Sequence, residues 1–276
     1  MPTWPAAIKL NPGARRGENT HATTMNEQAN WTDPVGKHTL ELIARADRFN
    51  RWIYGRIRPY LEGSIMEIGS GIGNISVFLV RDGFSITLSD YDPAYCALLR
   101  NRFREASPVQ EVLCIDLQDS DFYDTYASLR EKYDTIYLVN VIEHLQEDAK
   151  AMEYCRYMLR DKGRLIILAP AYSALFSSLD RELGHFRRYN LRALESLYLG
   201  RGYKVLHKQY FNLAGVLGWL WFGKILHKKM IGRGEVSAFD RFLPLLKLAD
   251  RLVGNRAGLS VILVGEKQVS NESAQT

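Results

Sequence analysis

The chain has 276 residues, 46% of them hydrophobic and 24% charged, with a formal net charge of +5 and a pI near 9.0. That length accommodates one large domain, or one domain with a sizeable insertion, and the composition is that of a soluble globular protein. The mild basicity excludes the concentrated charge of a dedicated nucleic-acid binder; it fits an arginine-rich solvated surface, an acidic substrate or an anionic membrane surface.

Residues 1–30 are rich in Pro, Gly, Asn and Thr and lack an apolar run before a cleavage site, so an irregular segment and no signal peptide are expected. "HTLELIARADRFNRWIYGRIRPYL", 38–61, spaces Leu42, Ile43, Ala46, Phe49, Ile53 and Ile57 as a helix does, with Pro59 near its end. "GSIMEIG" reads as a strand, "NISVFLVRDG" as a helix closed by Gly83, "SITLSD" as the second strand and "PAYCALLRNRFREA" as the next helix. "EVLCID" is the third strand, ending at Asp116, and "YDTIYLVNVIEHL" begins as the fourth; "DAKAMEYCRYMLRDKG" is a helix to Gly163 and "RLIILAP" the fifth strand. "YKVLHKQYF", 203–211, and "LSVILVGEK", 259–267, are the last two strands, separated by mostly helical pattern.

This alternation implies an α/β fold: a doubly wound, mostly parallel seven-stranded sheet of Rossmann-like type, with a helical insertion between the last two strands. The organisation read from it is an irregular segment 1–37, one domain over 38–270 with a helical cap at 211–257, and a tail 271–276. Ligands of such sheets bind outside the carboxyl ends of the strands. The three cysteines, Cys96, Cys114 and Cys155, read as buried free thiols of a reducing, cytoplasmic compartment, and no CxxC or Cys/His cluster suggests zinc.

The stretch "MEIGSGIGN", 66–74, follows the first strand. A dinucleotide loop needs G-x-G-x-x-G, but here the third glycine, Gly73, falls one place early, and the Lys-Ser/Thr ending of a P-loop is missing. The turn still brings backbone close to a ligand, without the spacing that seats a pyrophosphate. Asp90, ending the second strand, can accept both ribose hydroxyls. Asp116 could accept from an exocyclic amine such as adenine N6. These features suit a nucleoside whose other end is not a phosphate.

With "MEIGSGIGN", "LSDYD", "CIDLQD", "VNVIEHL" and "GRLIILAP" in order over about 110 residues, the sequence resembles the class I S-adenosylmethionine-dependent methyltransferases. "LDRELGHFRRYN" and the tail "FDRFLPLLKLADRLVGNRAGLSVILVGEK" narrow the resemblance to a bacterial subgroup with a GHxRRY segment, whose functions are diverse. The resemblance implies S-adenosyl-L-methionine as cofactor. Gly69, Gly71, Gly73 and Asn74 would pack against its methionine part, with Glu67 near the loop or the amino group. Asp90 would hold the ribose, Asp116 with Leu117 the adenine, Tyr91 would be a further cofactor contact, and Asn140 would lie near the sulfonium. Trp52 and Tyr54, on the helix before the first strand, are candidates to close over the amino-acid end, and Trp52 is also a candidate substrate contact.

Methyl transfer from a sulfonium is an in-line displacement in which the protein positions the acceptor and excludes water. An oxygen or acidic nitrogen acceptor must also lose a proton. His144 is a candidate base, or a helix-start residue bonded to nearby backbone. His185 and Tyr189 are further catalytic candidates in "GHFRRY". Arg187 and Arg188 could clamp an anionic substrate, or pair with Asp180 or Glu182 and order the loop. His38, His207 and His227 have no supporting constellation. Some related methyltransferases bind a divalent metal through E-x-x-E-H; here Asn140 replaces the first glutamate, an amide is a poorer ligand for a hard cation, and no metal is expected. "LAGVLGWLWFGKILHKK", with Trp219, Trp221 and Phe222 before Lys224, His227, Lys228 and Lys229, reads as a packed insertion, a lid over the acceptor with Trp219 in contact, a peripheral membrane contact through 211–229, or a dimer surface.

The expected function is methyl transfer to an O or N atom of a small-molecule acceptor, whether acidic, aromatic or lipid-like. The alternatives are a non-methylating enzyme that holds the cofactor during cyclisation or decarboxylation, and a binding module on the same fold. A nucleic-acid or protein substrate is disfavoured because no RNA-binding module is appended and no NPPY-type motif follows the fourth strand. The oligomeric state is left open.

Overall fold

The computed structural model describes residues 34–221 and 233–269. The elements run α1 (Pro34–Ile43), α2 (Asp47–Ile57), β1 (Ile65–Ile68), α3 (Ser76–Arg81), β2 (Ile86–Asp90), α4 (Pro93–Arg102), β3 (Val109–Cys114) and α5 (Phe122–Thr125). They continue with β4 (Tyr133–Val139), α6 (Asp148–Met158), β5 (Leu159–Pro170), α7 (Ser178–Glu182), α8 (Leu191–Leu199), β6 (Tyr203–Phe211), α9 (Leu213–Trp219), α10 (Arg233–Leu252) and β7 (Ser260–Lys267). The seven strands form one sheet in the order β3-β2-β1-β4-β5-β7-β6. Strands β1 to β5 pair in parallel, and β7 runs antiparallel between β5 and β6. This is the Rossmann-like sheet expected from the alternating pattern.

The period-two alternation of each strand divides the core into two layers. Met66 and Ile68 of β1 join Ile136, Leu138, Leu165 and Ile167 beneath Met152, Tyr154, Cys155 and Met158 of α6 and Leu194 and Tyr198 of α8. On the opposite face, Ile65, Ile86, Leu88, Tyr137 and Ile166 pack against Trp52, Ile53 and Ile57 of α2, Phe78 and Leu79 of α3, Leu99 of α4 and Leu243 of α10. Glu67 therefore points into an apolar layer, beside Tyr137, its register partner on β4.

Four local readings are corrected. The helix expected over 38–61 is broken at 44–46, where Asn50 Nδ2 donates to Ile43 O (2.9 Å), and a single 3-10 turn over Arg58–Tyr60 carries Pro59. Strand β3 stops at Cys114, so Asp116 lies two residues beyond it. Helix α6 gives way to β5 at Leu159, not at Gly163; the strand accommodates the extra residues by a register shift, with Tyr133 opposite Leu159 and Thr135 opposite Arg164, and Lys162 takes φ of 62°. All three cysteines are free, but Cys114 is exposed at the strand end, unlike buried Cys96 and Cys155.

Helices α9 and α10 fill the connection between β6 and β7. Asp250 of α10 is fully buried and accepts from the N–H groups of Asn212 (2.8 Å) and Leu213 (2.7 Å), fastening α10 to the start of α9. Among the described residues, no helix is long and apolar enough to cross a membrane. Phe222, Lys224, His227, Lys228 and Lys229 lie outside the described residues, as do the ends of the chain.

Candidate active site

The glycine turn leaves β1 at the carboxyl edge of the sheet. Gly69 and Gly71 take φ of 72° and 54°, a region an L side chain enters only at a cost. A Cβ on Gly69 would collide with the Val141 side chain, and one on Gly71 would stand 2.8 Å from Leu40 Cδ1. The loop is thus pinched between the turn after β4 and α1. Asn74 Nδ2 donates to Leu40 O (3.0 Å), a second tie of the loop to α1.

Asp90, buried at the end of β2, joins the loop to the sheet edge: its Oδ2 accepts from Gly71 N–H (2.8 Å) and its Oδ1 from Asp92 N–H (3.1 Å). Burial pushes its carboxyl up, and these backbone donors work against that shift. Asp92 caps α4 by accepting from Ala94 N–H (2.8 Å), leaving Asp90 as the strand-end carboxylate of the edge. Glu67 lies beneath the loop and accepts from the Ser76 hydroxyl. Burial pushes Glu67 up to about 7, with Ser76 pulling it back. Asp116 is exposed, with Oδ1 accepting from Gln118 N–H (2.8 Å), while Leu117 is buried and Tyr91 is 58% exposed. Asn140 caps the end of β4 with φ of 53° and an exposed side chain, and its N–H donates to Leu168 O (2.9 Å).

Beyond Asn140 a 3-10 turn, Ile142–His144, faces the segment after α7. Phe186 N–H donates to Glu143 O (2.8 Å), and the His144 and His185 rings meet edge to face at 4.6 Å between centroids. His185 Nδ1 bonds Asp180 Oδ1 (2.9 Å), which also accepts from Arg188 Nε (2.7 Å), while Asp180 Oδ2 accepts from Ser177 N–H (2.8 Å). Burial would raise Asp180, but His185 and Arg188 hold it below the usual carboxylate range. His144 is pushed down to about 4, by burial first and by His185 second, against a backbone hydrogen bond with Gly184. Glu143 is wholly buried, neither carboxylate oxygen has a hydrogen-bond partner, and burial pushes it up to about 8. The ligand atoms of Glu143, His144 and His185 all lie within 4.8 Å of one another.

Several candidates fall elsewhere. Trp52 is buried in the α2 layer against Phe211, with centroids 4.3 Å apart, and Tyr54 donates to Asp82 Oδ2 (2.5 Å); Leu40 of α1, not these rings, contacts the glycine loop. Arg188 is buried, with Nε on Asp180, Nη1 on Ala171 O (3.1 Å) and its guanidinium 4.4 Å over the Trp219 ring, the loop-ordering arrangement that stood beside the anion clamp. Trp219 in turn donates to Leu175 O (3.2 Å). Tyr189 is buried, and its hydroxyl donates to Asp148 Oδ2 (2.8 Å), which also pairs with Arg187 Nη1 (2.9 Å). Sequence reasoning passed over Asp180 as a site residue, although the Ser177–Asp180 capping-box spacing signals it, and met Glu143 only as the second glutamate of an E-x-x-E-H pattern that lacks its first.

A glycine turn tied to the carboxylate that ends the neighbouring strand, at the carboxyl edge of a parallel sheet, is the arrangement of nucleoside-binding α/β domains. Residues 66–165 match the family model described as a methyltransferase domain. The chain is 24% identical over 160 residues to a ubiquinone biosynthesis O-methyltransferase of Xylella fastidiosa, covering 56% of this chain and 57% of that one. It is 25% identical over 201 residues to a probable S-adenosylmethionine-dependent methyltransferase of Mycobacterium tuberculosis, covering 70% and 68%. Among solved structures, a putative sarcosine dimethylglycine methyltransferase from Galdieria sulphuraria shares the fold, with a TM-score of 0.52 at 18% identity over 80% of this chain and 86% of that chain. The chain spans less than two thirds of the length of the Xylella relative. These matches support a methyltransferase of the S-adenosylmethionine-dependent class, with S-adenosyl-L-methionine as the expected cofactor. The residues present fit it: the glycine turn, bare of side chains at Gly69, Gly71 and Gly73, lets a ligand approach the backbone, and each Asp90 oxygen, accepting one backbone N–H, keeps a lone pair for a diol.

Proposed function

We propose that the chain transfers a methyl group from S-adenosylmethionine to a hydroxyl oxygen of a small-molecule acceptor. The observation that carries this reading is the Gly71–Asp90 hydrogen bond, which holds glycine loop and strand-end acid together as one nucleoside-binding edge. The bound cofactor supplies a methyl group already activated on a sulfonium. The chain's own work is to hold the ribose through Asp90, to pack the amino-acid end against the Gly69–Gly73 loop under α1, and to exclude water. The acceptor oxygen would bond to the methyl carbon as the sulfur–carbon bond breaks to leave S-adenosylhomocysteine, with the hydroxyl proton passing to a nearby imidazole or to water. Oxygen is favoured over nitrogen because the imidazoles of His144 and His185 meet beyond the turn after β4, where a hydroxyl proton can be taken or polarised. The Xylella relative's O-methyltransferase name supports the same choice.

The test is direct. S-adenosylhomocysteine should stabilise the purified chain, and Asp90→Ala should weaken that binding by about 10–100-fold, the cost of about 1.5–3 kcal/mol for charge-assisted hydrogen bonds. Labelled methyl transfer to phenolic and other hydroxyl acceptors should exceed transfer to amines. Equal binding by the variant would remove the ribose assignment, and transfer to amines alone would remove the oxygen assignment.

A further inference from the structure

We propose that Glu143, His144 and His185 form a binding site for one divalent late first-row transition-metal ion, held by two imidazoles and one carboxylate with coordination positions left open. Two segments distant in sequence build it: the turn after β4 and the strap after α7, stapled by the Phe186 N–H to Glu143 O bond (2.8 Å). The three donor atoms lie within 4.8 Å of one another, so small side-chain adjustments bring all three onto one ion.

The independent observation is Glu143. Its carboxylate is 0% exposed, and neither oxygen finds a donor. A buried carboxylate without a partner is costly, and buried polar atoms in folded proteins are nearly always satisfied. The charge of Arg188 reaches Glu143, but its guanidinium makes no hydrogen bond to that carboxylate; it spends Nε on Asp180 and Nη1 on Ala171 O. A metal ion meets the demand of both oxygens at once.

The surroundings orient the other two ligands. His185 Nδ1 is bonded to Asp180 Oδ1 (2.9 Å), which directs its Nε2 lone pair away from that carboxylate. A carboxylate behind a histidine in this way fixes tautomer and ring orientation for a metal. Asp180 is itself held by Ser177 N–H and Arg188, so its charge is already matched. A Cβ on Gly184, on the strap that carries His185, would stand 3.9 Å from His144 Nδ1.

Two nitrogen donors and one oxygen suit zinc, iron, cobalt or nickel better than magnesium or calcium, which prefer oxygen cages. With neutral imidazoles and one carboxylate, a divalent ion keeps one positive charge. That leaves the open positions suited to an anionic oxygen ligand, such as the deprotonated hydroxyl of an acceptor. The sequence argued against a metal because Asn140 replaces a glutamate of E-x-x-E-H. The site proposed here does not use position 140, since its third ligand comes from the strap after α7.

The experiment uses the full chain, stripped with a chelator and titrated without cofactor with Zn2+ against a chromophoric competitor, and with Co2+ followed by absorption. One ion per chain and cobalt bands of a nitrogen- and oxygen-ligated centre are expected. Glu143→Gln and His185→Gln should weaken binding by more than about 100-fold. Asp180→Asn should weaken it by about 10–100-fold, as loss of a partner behind a ligand does. A wild-type cobalt spectrum like that of the hydrated ion, or folded Glu143→Gln binding as tightly as wild type, would overturn the site. Should a variant fail to fold, the wild-type cobalt spectrum still decides. Because the titration omits cofactor, metal uptake without stabilisation by S-adenosylhomocysteine would sink the methyl-transfer reading alone, and the reverse result would sink the metal site alone.

Discussion

At the scale of single residues, Glu67 has the clearest consequence in solution. Burial lifts its carboxyl from 4.5 to about 7 in the folded chain. The folded state therefore holds this proton more tightly than the unfolded one. The stabilisation is fully present below about pH 4.5 and is lost as pH rises through about 7. The amount is of the order of 3 kcal/mol, from the spacing of the two values. Urea denaturation at pH 5 and pH 8 should show wild type losing about 2.5 kcal/mol more stability than Glu67→Gln, since pH 5 already lies above the lower value; parallel pH slopes for the two proteins would refute the assignment. Gly71→Ala should fail differently. At φ of 54° with Leu40 Cδ1 2.8 Å from the new methyl, it strains the loop and should weaken S-adenosylhomocysteine binding by at least about tenfold, measurable by calorimetry. Gly71 and Asp90 were legible in the sequence because a glycine turn and a strand-end acid are local features. The fates of Arg188, Tyr189 and Trp52 were not, because their partners Asp180, Asp148 and Phe211 are chosen by tertiary packing. A segment such as "GHFRRY" reads the same whether its arginines meet a ligand or seal a loop.

At the scale of elements, the strand–helix rhythm was legible because buried parallel strands are short, nearly continuous apolar runs punctuated by glycine. Where the reading slipped, a non-local choice decided. Leu159 enters β5 because Tyr133 of β4 pairs with it, and no pattern within "MLRDKG" announces that. The 38–61 region carries one helical periodicity but folds as the end of α1, then α2 and a 3-10 turn, with Asn50 turning back onto Ile43 O at the break. The same kind of contact sets the stability of the connection between β6 and β7. Asp250 is the shared acceptor for two N–H groups where α9 begins, and the capping residue Asn212 sits there at φ of 67°. Asp250→Ala leaves both donors buried without a partner and should cost about 2–4 kcal/mol in chemical denaturation. Hydrogen exchange should localise the damage: the Asn212 and Leu213 amides should lose protection while amides of β1 and β4 keep theirs. Uniform loss across the sheet would show that α10 is an integral part of the core and not a fastened cap.

At the scale of the whole molecule, the carboxyl edge is where separate parts of the chain meet. The loop after β1, the acid ending β2, the turn after β4 and helix α1 converge there through Gly71–Asp90, Gly69–Val141 and Asn74–Leu40. A ligand that binds this edge only when it is assembled must stabilise the folded chain as a unit. At a ligand concentration of 100 times Kd the gain is about 2.7 kcal/mol. For a chain of this size each kcal/mol moves the midpoint by about 2–4 °C, so S-adenosylhomocysteine should raise the Tm by about 5–10 °C. At that same concentration, Asp90→Ala with a 100-fold weaker Kd retains about 0.4 kcal/mol and a shift of about 1–2 °C. On the proposed reading, adenosine alone would engage the strand-edge acids but leave the loop and α1 without a partner. It should give a smaller shift and should not slow hydrogen exchange in α1, whereas S-adenosylhomocysteine should do both. Equal shifts and equal α1 protection from the two ligands would mean that the Gly69–Gly73 loop does not hold the amino-acid end. The coupling of α1 to the cofactor would then fall with it.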